Sequence, residues 1–553
     1  MVWDVEADVV SVGSGAGGVA AALTTAAHGG EAIVLEKAAG IGGVTGWSLG
    51  QLWVGPTSLS EAAGFEDSAQ DAAAYLEFIG SGFGDPMLRN AFLAAGHGAI
   101  DYFGSLGIEF EVIRGFPDYY YPTLPFARAE GRYVEIKPFC LDALGADAQR
   151  LLHSPHGYGI FSNADFIEAG GDVLAIYAKA AAHVERNERC AGAGLMAALI
   201  HAALQRGVVF ETDHRVIELV IEDGRVAGVV AQTPGGQRRF RARRGVVLAT
   251  GGYDHNARMV RHFEHLDSLG SMTPHTVEGD HFALAGAVGG FVATVPPALT
   301  PRSLGVRIIQ PDGSPAFFTH LPGQPHSIVV NSRGERFADE AFYHDHEAAL
   351  GRYDGRAHTT TNWPAWLIFD QSFANSYQLG PFPPGQPLPD GFAITGTTIE
   401  EIARGAGIDS DGLRKAVTRF NDQCSIGVDK DFHRGEFPWS HVFVGDRRVS
   451  PNPNLGAIET GPFYAVPLYR VGTGFASAGL ATNEFAQVLD ARERPIAGLH
   501  AVGNAAARLD AGGYNSGIAN TRGLAYGWVA AQHLMGVTGA PASASSTSAA
   551  AQR

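Results

Sequence analysis

One run near the start, "GSGAGGVAAALTTAAHGG" (residues 13–30), constrains this chain more than any other. The apolar, β-branched stretch before it, "DVVSVG" (8–13), reads as a buried strand. An alanine-rich helix follows and ends near Gly29 and Gly30, and "EAIVLE" (31–36) is a second strand. Gly13, Gly15 and Gly18 are spaced as GxGxxG between strand and helix. The first glycine makes the turn, the second lets the backbone approach a pyrophosphate, and the third allows close helix–strand packing. The free N–H groups of the helix start then hold the phosphates. Glu36 lies 23 residues after Gly13, where a carboxylate accepts from ribose hydroxyls and repels a 2′-phosphate. A dinucleotide-binding βαβ unit is therefore expected.

At 553 residues the chain is too long for one ordinary core, so two or more domains are expected. Its 72 glycines are about 13% of the chain, against a usual ~7%. They fall in GG and GxG clusters, not repeats, which suits tight turns and close approach to a ligand. A net charge of −17 without a basic run argues against nucleic acid as a partner. Cys140, Cys190 and Cys424 are far apart and form no CxxC, so neither a metal site nor a disulfide framework is expected. A reducing, cytoplasmic setting fits, with no signal peptide and no membrane span. The small, polar end (539–553) reads as a disordered tail.

After Glu36 comes "KAAGIGGVTGWSLGQLWVG" (37–55), which reads as backbone laid along a long flat ligand, where a simple dehydrogenase would turn into another helix. "GVVFETDHRVIELVIEDGRVAGVVAQ" (207–232) reads as a strand and a hairpin turning at Asp223–Gly224. "RRGVVLATGGYD" is a buried strand ending at Thr250, Gly251 and Gly252, and "PIAGLHAVGNAAA" another ending at Gly503 and Asn504. This order of segments resembles the FAD-dependent flavoprotein superfamily of fumarate reductases and 3-ketosteroid dehydrogenases, over roughly residues 5 to 535. The resemblance implies an α/β fold: a Rossmann-like FAD-binding domain with a parallel sheet (1–270 and 450–538), interrupted by an α+β substrate or cap domain (271–449). It implies FAD contacts at Gly13, Ser14, Gly15, Ala16, Gly18, Glu36, Lys37, Gly43, Thr45, Ser48, Gly50 and Val216. Further contacts are implied at Ala249, Thr250, Gly251, Gly503, Asn504, Gly517 and Ile518. Residues 42–53 contain no histidine of the kind that carries covalent flavin in some relatives, so the FAD is expected to be non-covalent.

Two segments divide the branches of this superfamily. "RFADEAFYHDHEAA" (336–349) and "DAGGYNSGIANTRG" (510–523) lack the arginines that fumarate-reducing relatives use on dicarboxylates. They carry Tyr343 and Tyr514 instead, as the ketosteroid Δ1-dehydrogenases do. "GFPDYYYPTLPFARAEGRYVEIKPF" (115–139) resembles a third stretch of that group, and its tyrosine would be Tyr119 or Tyr120, with Tyr121 the less favoured register. Desaturating a ketone beside its carbonyl removes an α-proton and a β-hydride, so the carbonyl oxygen must be polarised while a base acts. The resemblance implies Tyr343 as base, its proton drained toward Tyr119 or Tyr120, with Tyr514 and the Gly517 N–H as the oxyanion site. The expected substrate is a ring ketone, either a 3-ketosteroid or a smaller cyclohexanone-type ring, with an external electron acceptor such as a quinone or soluble carrier. Alternatives are an FAD-dependent ene- or fumarate-type reductase and a flavin-binding carrier without turnover. Asp339 and Glu340 are expected as structural partners of Arg336, and His344 as a loop residue placed to tune Tyr343.

Overall fold

The computed structural model describes residues 2–300, 302–320 and 322–537, so the tail expected at 539–553 lies outside the described residues. Strand β1 (Val5–Val12), helix α1 (Ala16–Ala27) and strand β2 (Ala32–Leu35) form the βαβ unit, β1 and β2 pairing in parallel. Four strands follow: β3 (Val209–Glu211), β4 (Arg215–Glu222), β5 (Arg225–Thr233) and β6 (Gly236–Leu248). Near the end of the chain come β7 (Gln487–Leu489), β8 (Pro495–Ala501) and helix α2 (Ile518–Met535). These strands make one sheet in the order β7-β8-β6-β1-β2-β3, with β5 and then β4 added to β6. The pairs β8–β6, β6–β1, β1–β2 and β2–β3 are parallel.

Sequence chemistry explains the local geometry. Asp223 (φ 50) and Gly224 (φ 75) are both left-handed, as a two-residue hairpin turn between β4 and β5 requires. Helix α1 is buried from Ala16 to Thr25 because it is wedged between the sheet and α2. Small residues permit this: a Cβ on Gly527 of α2 would lie 2.4 Å from the Gly17 carbonyl oxygen. One apolar cluster joins α1, α2 and residues 52–210, and a second covers the other face of the sheet.

A separate antiparallel sheet pairs Ser327–Asn331, Ala365–Asp370, Phe463–Pro467 and Ile394–Gly396 in that order. Its strands alternate in the period of two. Ile328, Val330 and Ile368 face helices Ile399–Ala406 and Ser410–Ile426, while Val329, Leu367 and Phe369 face a second cluster. This sheet takes in Phe463–Pro467, beyond residue 449. Among the described residues no helix is long and apolar enough to cross a membrane.

Candidate active site

Four strand ends meet at the carboxyl edge of the parallel sheet: Gly13 after β1, Glu36 after β2, Ala249 to Gly251 after β6, and Gly503 and Asn504 after β8. Ligands of open parallel sheets bind beyond this edge. A cavity of about 330 Å³ opens there, bordered by all of these residues. Ser14, Gly15, Ala16, Lys37, Gly43, Thr45, Ser48, Gly50, Val216 and Gly517 also line it.

The cradle fits a dinucleotide. Gly13 (φ 104) turns so tightly that a Cβ would lie 2.4 Å from the Ala249 carbonyl oxygen. A Cβ on Gly15 would meet nothing nearer than Thr45 Oγ1 at 3.8 Å, so that face is open for a phosphate. Gly15 brings no capping side chain to α1, and Ala16 N–H reaches Thr45 Oγ1 at 3.3 Å. Gly18 does not line the cavity; its Cβ would sit 1.9 Å from the Gly13 carbonyl oxygen, which gives it the packing role read from the motif. The Glu36 carboxylate accepts from Ser14 N–H (3.0 Å), Ser14 Oγ (2.7 Å) and Ala38 N–H (2.9 Å). Lys37 turns its ammonium to Glu278 (2.9 Å) and Asp280 (2.6 Å). Asn504 donates to the Gly474 carbonyl at 2.6 Å, and its buried Oδ1 is left without a partner in the protein. That buried acceptor faces a site whose ligand carries donors.

Helix α2 opens onto the same cavity. Gly517 is left-handed (φ 85), and a Cβ on it would lie 2.5 Å from Trp53 N. Ala519, Asn520 and Gly523 line the cavity, whereas Ile518 turns into the core. Sequence reasoning stopped at Ile518; the signal for the rest is the unoccupied N–H groups of any helix start. No strand precedes "GGYNSG" to flag it.

The tyrosines gather at this end. Tyr343 starts helix Tyr343–Leu350, and its ring lies 5.8 Å from that of Tyr514. Both line the cavity, and their remaining exposure is toward it. The Tyr343 hydroxyl meets Ser303 Oγ at 3.3 Å. Burial, and then Tyr514 beside it, hold Tyr343 well above the usual phenol range. Tyr119 is fully buried one layer behind, stacked on Trp439 at 4.2 Å, with its hydroxyl 2.8 Å from Ser516 Oγ. Tyr120 points elsewhere, edge-on to Phe78 (4.9 Å) and Phe342 (5.2 Å). Neither Tyr119 nor Tyr120 lines the cavity, and the hydroxyl that bonds that of Tyr343 is Ser303's.

Sequence reasoning missed Ser303, Ser516 and a further cavity tyrosine, Tyr158, with Met272, Thr319 and Phe475. Tyr158 sits between two glycines in "HGYGI", a weak signal; the others carried none. His344 holds the loop of Tyr514 through its carbonyl (3.0 Å), and burial pushes its ring down to about 4. Arg336 is held by Glu340 (2.7 and 2.6 Å) and Asp429 (2.7 Å), while Asp339 accepts from Ala341 N–H instead.

The strand-edge cradle and the aromatic end together define a flavin-dependent oxidoreductase. Its sequence matches the family described as FAD binding domain over residues 8–521, and the chain belongs to that family, with FAD as its cofactor. It is 34% identical over 519 residues to 4-oxocyclohexanecarboxylate 2-dehydrogenase of Sinomonas cyclohexanicum, covering 92% of this chain and 89% of the relative. It is 31% identical over 533 residues to 3-oxosteroid 1-dehydrogenase of Mycolicibacterium smegmatis, covering 90% and 92%. Its fold superposes on the 3-ketosteroid Δ1-dehydrogenase of Sterolibacterium denitrificans, solved with 1,4-androstadiene-3,17-dione, with a TM-score of 0.85 at 28% identity. That match covers 96% of this chain and 99% of the other.

Proposed function

We propose that this protein desaturates a ring ketone next to its carbonyl, with Tyr343 as base and Tyr514 with the Gly517 N–H polarising the carbonyl oxygen. The observation that carries this reading is the shared cavity: Tyr343, Tyr514 and Gly517 line the same space as the dinucleotide cradle. FAD, when bound there, supplies the acceptor for the β-hydride. Tyr343 takes the α-proton while the Tyr514 hydroxyl and the Gly517 N–H hold the charge gathering on the ketone oxygen. Residues 1–270 with the described chain after Pro467 carry the cofactor, and 271–449 together with the strand Phe463–Pro467 close over the ring, excluding water and strengthening each of these contacts.

Charge narrows the substrate to an uncharged ketone. Among the described lining residues no arginine occurs and the one lysine is Lys37, which lies beside Glu36 and is committed to Glu278 and Asp280, while His214 accepts at Nε2 from Arg238. Around Tyr343 the lining is Tyr158, Met272, Ser303, Thr319, Phe443 and Phe475. Arg302, next to Ser303, is buried and paired with Glu264. A carboxylate on the ring would be desolvated there without a partner. A 3-ketosteroid or an uncharged cyclohexanone fits better than the keto acid named for the Sinomonas relative. The FAD is non-covalent in this reading, because both ring nitrogens of His214 are engaged, by the Thr212 carbonyl (2.7 Å) and Arg238 (3.0 Å). An external quinone or soluble carrier reoxidises it. The three free thiols support a reducing, cytoplasmic setting.

The test is anaerobic mixing of the yellow protein with a 3-ketosteroid, cyclohexanone or 4-oxocyclohexanecarboxylate, following the long-wavelength flavin absorbance. Bleaching by either neutral ketone, faster than by the keto acid, is expected. If none bleaches it and an enone reoxidises the reduced protein, the enzyme is a reductase and this proposal falls.

A further inference from the structure

We propose that Ser516 is a positioning residue that joins Tyr119 and Tyr514 into one chain of hydroxyl donors aimed at the ketone oxygen. This rests on the carbonyl-polarising role proposed for Tyr514. Tyr119 is fully buried behind the cavity and does not border it, so it has no direct reach to a substrate. Ser516 touches both sides: its Oγ lies 2.8 Å from the Tyr119 hydroxyl, and the residue lines the cavity beside Tyr514. The rings of Tyr119 and Tyr514 meet edge to face at 6.1 Å, and the Ser516 and Tyr119 hydroxyls both pull the Tyr514 phenol down against the burial that raises it.

Beyond its bond to the buried Tyr119 phenol, the Ser516 hydroxyl is not used to hold the start of α2. It does not cap α2, whose cap residue is Gly517 and whose start has no side-chain capping bond. The loop is held by other groups. Asn515 accepts from Tyr75 (2.9 Å) and donates to Tyr133 (2.9 Å), and His344 bonds the Tyr514 carbonyl (3.0 Å).

The chemistry asks for such an array. When the α C–H bond breaks, its proton goes to the Tyr343 oxygen and its electron pair forms the enolate, whose charge collects on the ketone oxygen. That oxygen accepts from Tyr514, Tyr514 from Ser516, and Ser516 from Tyr119. Each donation makes the next hydroxyl a stronger donor. No proton leaves these three hydroxyls and none is oxidised. Staying protonated suits their burial, which raises both phenols.

The experiment uses the flavin-loaded full chain with Ser516→Ala, Ser516→Thr, Tyr119→Phe and the Ala–Phe double variant. Binding of 4-chlorophenol, which mimics the planar enolate, is titrated through the flavin absorbance. The control ligand is 2,2,6,6-tetramethylcyclohexanone, a neutral ketone without α-hydrogens. Ser516→Ala is expected to weaken the phenol about tenfold, the effect of one hydrogen bond, with the ketone control within about twofold. Ser516→Thr restores the phenol affinity, and the double variant is no weaker than the worse single one. With a substrate ketone, kcat falls and KM holds. Unchanged phenol affinity in Ser516→Ala, or additive losses in the double variant, overturn the inference. The phenol titration needs no turnover. If the wild type desaturates neither ketone, the desaturation reading falls while Ser516 is still decided.

Discussion

Tyr343→Phe separates chemistry from packing. The substitution removes one hydroxyl and keeps the ring, which lies 5.8 Å from both Tyr514 and Trp439. The hydroxyl's bond to Ser303 is long at 3.3 Å, so stability should fall by less than about 1 kcal/mol. A positioned general base contributes about 10²- to 10⁴-fold, or roughly 3 to 5.5 kcal/mol of barrier. The loss of rate should therefore greatly exceed any loss of stability. The pH dependence carries a second signature. Burial holds Tyr343 above its usual value of 10.0, so below pH 10 only a small fraction is phenolate, rising about tenfold per pH unit. Wild-type flavin reduction should accelerate from pH 7 to 10, and the Phe variant should lose that slope. The assay is stopped-flow anaerobic reduction by a saturating ketone at several pH values, beside urea unfolding of both proteins. A Phe variant within threefold of the wild type, with the slope intact, refutes the assignment of Tyr343 as base.

Gly18→Ala should prevent α1 from seating, because its Cβ would lie 1.9 Å from the Gly13 carbonyl oxygen and 3.2 Å from Ala249 Cβ. Flavin retained after desalting should drop severalfold, and full retention would contradict the close-packing argument. Arg336→Ala strands buried Asp429 and leaves buried Glu340 with Arg434 at 3.5 Å, and should destabilise by about 3–5 kcal/mol in urea unfolding. Tyr75, Tyr119, Tyr133, Tyr343 and Tyr526 are all held well above pH 10 by burial. Above the unfolded value of about 10 the unfolded chain sheds these protons and the folded one keeps them, so stability falls as pH rises. Each adds up to about 1.4 kcal/mol per pH unit. Thermal unfolding from pH 8 to 11 checks this, and a flat profile above pH 10 counts against it.

The cofactor half of the site was legible because its rules are local. A strand, a GxGxxG turn, a helix and an acid at a fixed interval specify backbone conformation residue by residue, and Gly13, Gly15 and Glu36 border the cavity where that arithmetic puts them. Asp223–Gly224 is legible for the same reason: two left-handed residues in a row suit a hairpin turn. Gly18, counted among the contacts, packs instead, because its work is to bring α1 against the Gly13 turn.

The chemical half needed the tertiary structure. Tyr119 and Tyr120 are neighbours in an irregular loop, where no period of two or 3.6 sets which way a side chain faces. Trp439 and Ser516 draw one ring inward, and Phe78 and Phe342 take the other. Tyr158, Ser303, Tyr343 and Ser516 come from segments far apart in the chain, and they share one cavity only after the sheets have folded. The sequence by itself determined the dinucleotide cradle, since glycine conformation and strand–helix order are properties of short stretches. Which hydroxyls surround the ring ketone was decided by packing between distant loops, and no local pattern encodes those neighbours.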